Sequence, residues 1–395
     1  MKYNITFYCP DRHIRYDGGR LPDTKGVGGG VTVRIRLAHT LATRGHHVSM
    51  ICNCIKEEVD RDVHYIPLDM VKEINTDVLV LATSGGGLTL EPFLQLKTQA
   101  KLKILLAHGT DQPVGLNKIP FDSFYAISNF IRHVMKDDWK LPANKIFVSY
   151  HGVIKDDFKP NSNRLFPSFV SKNTRDPFRL AYLGHPQKGR DAALGTLKLL
   201  QTIDPKYHLH VFGDERLWGG KAKRIFGVRG VKNFGLVNQK KLAQTLLTCN
   251  FGIFLQARLE PFGMTMIEAM TAGCIPIASP VGAYREIIQH GKNGFLVEGD
   301  YNSPETWKRV SDLICDLQSD PTRLEQIRDY AKKWVLDWQG VVQTWEQHWN
   351  ILLGNIQTAD FQVTDSCNEC TSKMVKLEDG LHCFSCGNFI RHIGD

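Results

Sequence analysis

Short apolar runs recur along the chain. They alternate with longer stretches in which apolar residues return every three or four positions. The runs at 4–9, 48–52, 77–82, 103–107, 124–128 and 145–149 are continuous rather than alternating. Strands buried on both faces read this way, as in parallel sheets. The segment 31–44 instead carries Val33, Leu37 and Leu41 on one side of a helix. The second half repeats the theme, with strand-like runs at 178–183, 208–212, 251–255 and 274–278 and helical ones at 240–248 and 264–271. Strand and helix in strict alternation predict an α/β protein built on parallel sheets.

The break between the halves lies at 161–177, a polar stretch with Asn, Ser and Pro that reads as a linker. Residues 1–160 and 178–335 are thus expected as two Rossmann-like domains. Past Asp300 the pattern is helical, over 304–317 and 321–336, and continues into a stretch holding Trp334, Trp338, Trp345 and Trp349. Indoles at this spacing are expected to pack between long helices rather than to form a sugar platform.

Candidate chemistry concentrates where strands hand over to helices. After the run 251–255 come Glu260 and Glu268, spaced E-x7-E, with Pro261, Phe262 and Gly263 between strand and helix. A helix that starts here turns its N–H groups and the positive end of its dipole toward the strand ends. Carboxylates beside it suit the paired hydroxyls of a sugar or ribose. After the run 178–183 stand His185, Lys188, Gly189 and Arg190. Gly28, Gly29 and Gly30 precede the helix at 31–44, and glycines let backbone amides approach a diphosphate. His108 follows the run 103–107, and a residue at that end of a parallel strand faces the crevice of the sheet.

The order of these motifs over roughly residues 1–350 resembles the retaining GT-B glycosyltransferases of the GT4 type, the glycogen-synthase-like and sucrose-synthase-like group. The resemblance implies two Rossmann-like domains facing across a cleft, with a helix at 336–360 crossing back to the first. It implies transfer of a sugar from a nucleotide-sugar to a hydroxyl acceptor by front-face departure and attack, without a catalytic metal. Lys188 would hold the donor diphosphate with the loop Gly28–Gly30, and Glu260 the donor sugar. The backbone of Phe262, Gly263 and Met264 would hold sugar or phosphate oxygens, and Glu268 the ribose. Leu236 and Val237 would meet the base, and His108 the reacting sugar or the acceptor. Where the family carries a second phosphate-binding arginine this chain has His185, with Arg190 as the nearest replacement.

Composition adds less. The formal charge of +8 favours anionic ligands, among them nucleotide diphosphates, acidic membranes and nucleic acid. No apolar run is long enough to span a bilayer, and the first residues read as a strand, so a cytoplasmic protein is expected. Six of the ten cysteines are scattered, as suits reduced thiols. The other four form Cys367-x-x-Cys370 and Cys383-x-x-Cys386, with a D-G turn between them. Two such knuckles predict a closed structural zinc site in a ribbon at 365–391, with four protein ligands, disulfides being the alternative. Ribbons of this kind contact nucleic acid or protein. Two alternatives therefore stand beside glycan, lipid or small-molecule transfer. One is a glycosyltransferase acting on modified DNA bases, and the other a non-catalytic nucleic-acid-binding protein.

Overall fold

A computed structural model describes residues 1–83, 88–160, 175–223, 225 and 227–391; nearly all of the expected linker at 161–177 and the glycine run at 84–87 lie outside them. The chain divides into two compact units. Met1–Leu21, Gly29–Gly152 and Leu336–Asp395 form the first, and Pro22–Gly28 and Val153–Val335 the second.

The first unit is built on eight strands: β1 (Asn4–Tyr8), β2 (His47–Cys52), β3 (Glu58–Asp60), β4 (Val63–Pro67), β5 (Glu73–Ala82), β6 (Lys97–Ala107), β7 (Ser123–Ala126) and β8 (Ile146–Val148). Their order is β3-β4-β2-β1-β5-β6-β7-β8, parallel except for the β3–β4 pair. The central β1 is buried along most of its length, with Phe7 opposite Met50 on one side and Val80 on the other. Strands β5 and β6 begin earlier than their apolar runs. Their first residues, Glu73–Thr76 and Lys97–Lys101, are mostly polar and alternate between exposed and more buried positions, so a search for continuous apolar sequence misses them.

The turn α1 (Leu21–Thr24) precedes α2 (Gly29–Thr43). Gly29 and Gly30 open this helix instead of belonging to the loop before it. Helix α3 (Asn129–His133) starts at Ser128, whose hydroxyl accepts from the Ile131 amide at 3.0 Å. The two-residue strand β9 (Gly152–Val153) ends this part of the chain.

In the second unit six parallel strands, β10 (Arg179–Leu183), β11 (His208–Phe212), β12 (Val231–Gly235), β13 (Phe251–Phe254), β14 (Ile275–Ala278) and β15 (Phe295–Leu296), lie in the order β12-β11-β10-β13-β14-β15. Helices α4 (Arg190–Ile203), α5 (Gln239–Leu246), α6 (Met264–Thr271), α7 (Tyr284–Ile287), α8 (Pro304–Ser319) and α9 (Pro321–Trp334) accompany them. Leu180, Leu209, Phe251, Ile253 and Ile275 from the sheet meet Leu197 and Leu200 of α4 and Ile314 and Leu317 of α8 in one core. Ser303 and Asp320 cap α8 and α9 by accepting from the amides of Thr306 and Arg323.

The chain re-enters the first unit at β16 (Leu336–Asp337) and α10 (Trp338–Leu352). Trp334, Trp338, Trp345 and Trp349 are all buried. The Trp345 indole donates to the Ser149 hydroxyl at 2.6 Å, so these rings are core. Four antiparallel strands follow, β17 (Val363–Ser366), β18 (Lys373–Lys376), β19 (Gly380–His382) and β20 (Phe389–Arg391). The D-G turn joins β18 to β19, with the Leu377 amide donating to the Gly380 carbonyl. Among the described residues no helix is long and apolar enough to cross a membrane.

An ion cluster ties α10 to the segment after α2. Arg44 donates to Glu346 through two nitrogens at 2.6 and 2.7 Å, and His46 lies 2.8 Å from the same carboxylate. Burial works against the Glu346 charge, but the hydrogen bonds from His46 and Arg44 outweigh it and hold its pKa down at about 2. A carboxyl whose folded pKa is depressed adds stability above its unfolded pKa and loses it as the pH falls through the folded value. Replacing Glu346 with Gln should therefore cost on the order of 2 kcal/mol at neutral pH, with the deficit vanishing between about pH 5 and pH 2. Urea titrations of both proteins across that range check this; a deficit that persists at pH 2 contradicts it.

Candidate active site

In the second sheet the winding reverses between β10 and β13. Loops leaving two such strands diverge and open a crevice at their carboxyl ends. The approach here is close. Gly189 sits at φ +91°, and a Cβ on it would stand 1.6 Å from the Leu255 carbonyl oxygen. Only glycine lets the turn Pro186–Lys188 settle onto the end of β13. The consequence is a contact between two sequence-distant residues: Lys188 Nζ lies 2.7 Å from Glu260 Oε2. Gln256 Nε2 approaches the same oxygen at 3.4 Å. The backbone of Glu260 is fixed as well, since its carbonyl accepts from the Ala283 amide at 2.9 Å. A Cβ at Gly282 would stand 2.4 Å from that carbonyl oxygen.

Helix α6 begins immediately afterwards. Gly263 adopts φ +105° at its N-cap and accepts from the amides of Met266 and Ile267 at 3.0 and 3.2 Å. First-turn amides such as that of Met264 have no acceptor within their own helix. Phe262 is buried ahead of the helix, and Glu268 is buried within it. Lys188, Glu260, Phe262, Gly263 and Met264 thus stand where the strands of the second unit hand over to α6, with Glu268 one turn into that helix.

The remaining cations are disposed differently from the expectation. His185 accepts from the Gln187 amide through Nδ1 at 3.2 Å, and its ring stacks on Trp218 with centroids 3.6 Å apart. Burial lowers its pKa, an effect that Glu215 opposes and the charges of Lys188, Arg190 and Arg258 reinforce. An Nδ1 that accepts and a lowered pKa both describe a neutral imidazole. Arg190, the expected replacement cation, lies 3.5 Å from Glu215 at the start of α4, so that carboxylate shares its charge. Leu236 and Val237 follow β12. The segment between α1 and α2 reaches them, because a Cβ on Gly26 would stand 2.8 Å from the Val237 carbonyl oxygen and 2.9 Å from Leu236 Cβ. Gly28 has open space around it.

His108 belongs to the first unit, directly after β6. Its Nδ1 hydrogen-bonds the Thr83 carbonyl, while Nε2 is buried with no hydrogen-bond partner among the described residues. Burial, helped by the Arg34 charge, brings its pKa down to about 3. The ring is therefore neutral, its Nδ1–H donates to Thr83, and Nε2 offers a lone pair. It stacks on His151 at 5.3 Å. Arg34 of α2 forms a fully buried ion pair with Asp11, just past β1. Asp11 and Arg34, like Trp218 and Arg258, carry no motif in the sequence. Their only signal is position: Asp11 follows a strand end, and Arg34 interrupts an otherwise apolar helix face.

The four C-terminal cysteines come together. Their sulfurs all lie within 4.8 Å of one another, with Cys367 and Cys386 3.7 Å apart and Cys370 and Cys383 3.4 Å apart. Four thiolates bound tetrahedrally at zinc–sulfur distances of about 2.3 Å would stand about 3.8 Å from each other, so the set fits zinc. The Glu369 amide and the Asn388 side chain point at the Cys367 sulfur at 3.5 Å, which suits a thiolate.

Two units with doubly wound parallel sheets define the GT-B class of fold. Residues 172–334, most of the second unit, match the family described as "Glycosyl transferases group 1". An uncharacterized glycosyltransferase of Methanocaldococcus jannaschii is 26% identical over 261 residues, 62% of this chain and 68% of that one. A sucrose synthase of Denitrovibrio acetiphilus is 39% identical over 83 residues, 21% of this chain and only 10% of that enzyme. Anabaena HepE, solved in complex with UDP-glucose, shares the fold with a TM-score of 0.61 at 15% identity, over 89% of this chain and 100% of that one.

If the Gly189 approach sets this geometry, a methyl group there must push the turn off β13. Gly189→Ala should destabilise the protein by more than about 2 kcal/mol, through steric conflict and the unfavourable φ. Chemical denaturation checks it; wild-type stability would show that the turn can yield.

Proposed function

We propose that the protein is a retaining, GT4-type glycosyltransferase that takes a sugar from a nucleoside-diphosphate donor and passes it to a hydroxyl acceptor. The observation that carries the reading is the Lys188–Glu260 contact at the start of α6, inside the segment that matches the group 1 family. On donor binding the Lys188 ammonium turns to the diphosphate, and Glu260 is released to accept from sugar hydroxyls. Amides of Phe262, Gly263 and Met264 stabilise oxygens of the same donor, and Glu268 takes the ribose diol. Leu236 and Val237 border the base, and the backbone amides at Gly28, Gly29 and Gly30 are the glycine contribution to diphosphate binding.

Charge develops on the departing diphosphate as the anomeric C–O bond breaks and its electron pair leaves with the oxygen. A pre-placed cation and helix amides are worth most at that moment. The acceptor hydroxyl then attacks from the same face and gives its proton to the departing phosphate oxygen. Neutral His108 contributes the Nε2 lone pair as an acceptor for a substrate hydroxyl. UDP-glucose is the first donor to test, since it is the ligand of HepE. Assayed against a panel of nucleotide-sugars, Lys188→Ala and Glu268→Ala should each lose at least about a hundredfold in turnover, as removal of a transition-state donor does, while keeping the wild-type circular dichroism spectrum. Wild-type turnover in both variants would overturn the assignment.

The four cysteines are assigned to a structural zinc ion. With all four positions filled by sulfur, the metal has no open site for chemistry. The module is an integral part of the first unit. The buried Arg132 of α3 donates to the Cys386 carbonyl at 3.0 Å and to Glu369 at 2.5 Å, and Asn129 exchanges two hydrogen bonds with the backbone of Phe389. These contacts favour a bracing role over a freely presented nucleic-acid reader. One zinc per chain is expected by elemental analysis. Its removal by a chelator, or Cys370→Ser, should lower the melting temperature of the protein by several degrees. A metal-free protein with an unchanged melting temperature would contradict this.

A further inference from the structure

The donor reading leaves a charge unaccounted for. A nucleoside diphosphate brings at least two negative charges to the crevice. Lys188 is one cation. The position from which a second is expected holds His185, neutral and stacked on Trp218. Arg190 is engaged by Glu215.

Arg258 is free of these constraints. It lies two residues before Glu260, on the loop that leaves β13, and it is exposed. No carboxylate pairs with it among the described residues. Its guanidinium carbon stands 4.6 Å from the centroid of the Trp218 ring. The indole therefore bridges the two loops: His185 stacks on it from the loop after β10, and Arg258 packs over it from the loop after β13. A guanidinium held against an aromatic face keeps its charge and gives up little entropy when it forms hydrogen bonds. Arginine is also the side chain whose planar donors match two phosphate oxygens at once.

We infer that Arg258, positioned by Trp218, is the second diphosphate-binding cation, and that His185 serves as the other partner of the indole rather than as a phosphate ligand. This rests on the donor site proposed above. It adds a residue to that site and reassigns another. Trp218 acts through Arg258 and is a positioning residue.

The test uses the intact protein, with UDP, ADP and GDP and the matching nucleosides as calorimetric probes at several salt concentrations. Arg258→Gln should weaken binding of the preferred diphosphate by about ten- to a hundredfold, the worth of one charge-assisted contact, and flatten its salt dependence. The matching nucleoside, which carries no phosphate, should bind as to wild type. Trp218→Leu should lose part of the same affinity, again for the diphosphate and not the nucleoside. Restoring a cation from the other loop, with His185→Arg in the Arg258→Gln background, should recover affinity. If no diphosphate binds the wild type, the donor site itself fails. If a diphosphate binds wild type and Arg258→Gln equally, with the same salt dependence, the donor site stands and the role of Arg258 is overturned.

Discussion

A lysine and a glutamate seventy-two positions apart are held 2.7 Å from each other at the reversal of the second sheet, and the functional account depends on that contact. It is made possible by an absence. Gly189 lacks the Cβ that would collide with the Leu255 carbonyl, so two loops that open-sheet topology drives apart meet instead. Unliganded, the pair satisfies two charges that would otherwise stand beside a row of helix amides. On the proposed reading, a bound donor would give each charge a better partner: phosphate oxygens for the ammonium and sugar hydroxyls for the carboxylate. The contact thus holds the two charges in neutral form, ready on that reading for a substrate that carries both kinds of group.

The first unit places polar groups at its own sheet reversal, between β1 and β5, in a different manner. Asp11 and Arg34 neutralise each other in full burial, and the Arg34 charge joins desolvation in keeping His108 deprotonated. One unit therefore offers an ion pair with an exposed rim, and the other a dry acceptor nitrogen. The zinc-fitting module brings four cysteine sulfurs together. Its contacts through Arg132, Asn129 and Phe389 run to the edge of the first unit, where they bind α3 to the C-terminal sheet.

Much of this was legible in the sequence, for a physical reason. Strands buried on both faces must be continuously apolar, and the runs at 208–212, 251–255 and 274–278 announce β11, β13 and β14. Helix α6 shows its start by Gly263 and its end by Gly273. The cysteine knuckles have few uses other than metal. The mostly polar first halves of β5 and β6 were hidden because they alternate, with one face more exposed than the other. The pairing of Lys188 with Glu260, the engagement of Arg190 by Glu215 and the His185–Trp218–Arg258 assembly were not legible. They depend on which strand ends are neighbours, and β10, β11 and β13 meet only after the sheet has formed. His185 shows the limit most clearly: its place in the motif reveals neither the Trp218 ring it stacks on nor the burial that lowers its pKa.

The most direct test of the central claim is a crystal structure with UDP bound, or with whichever nucleoside diphosphate the protein prefers. The account predicts the diphosphate at the start of α6, with Lys188 Nζ moved from Glu260 onto a phosphate oxygen and Glu268 on the ribose. A diphosphate seated elsewhere, or a Lys188–Glu260 pair left intact beside it, would contradict the account.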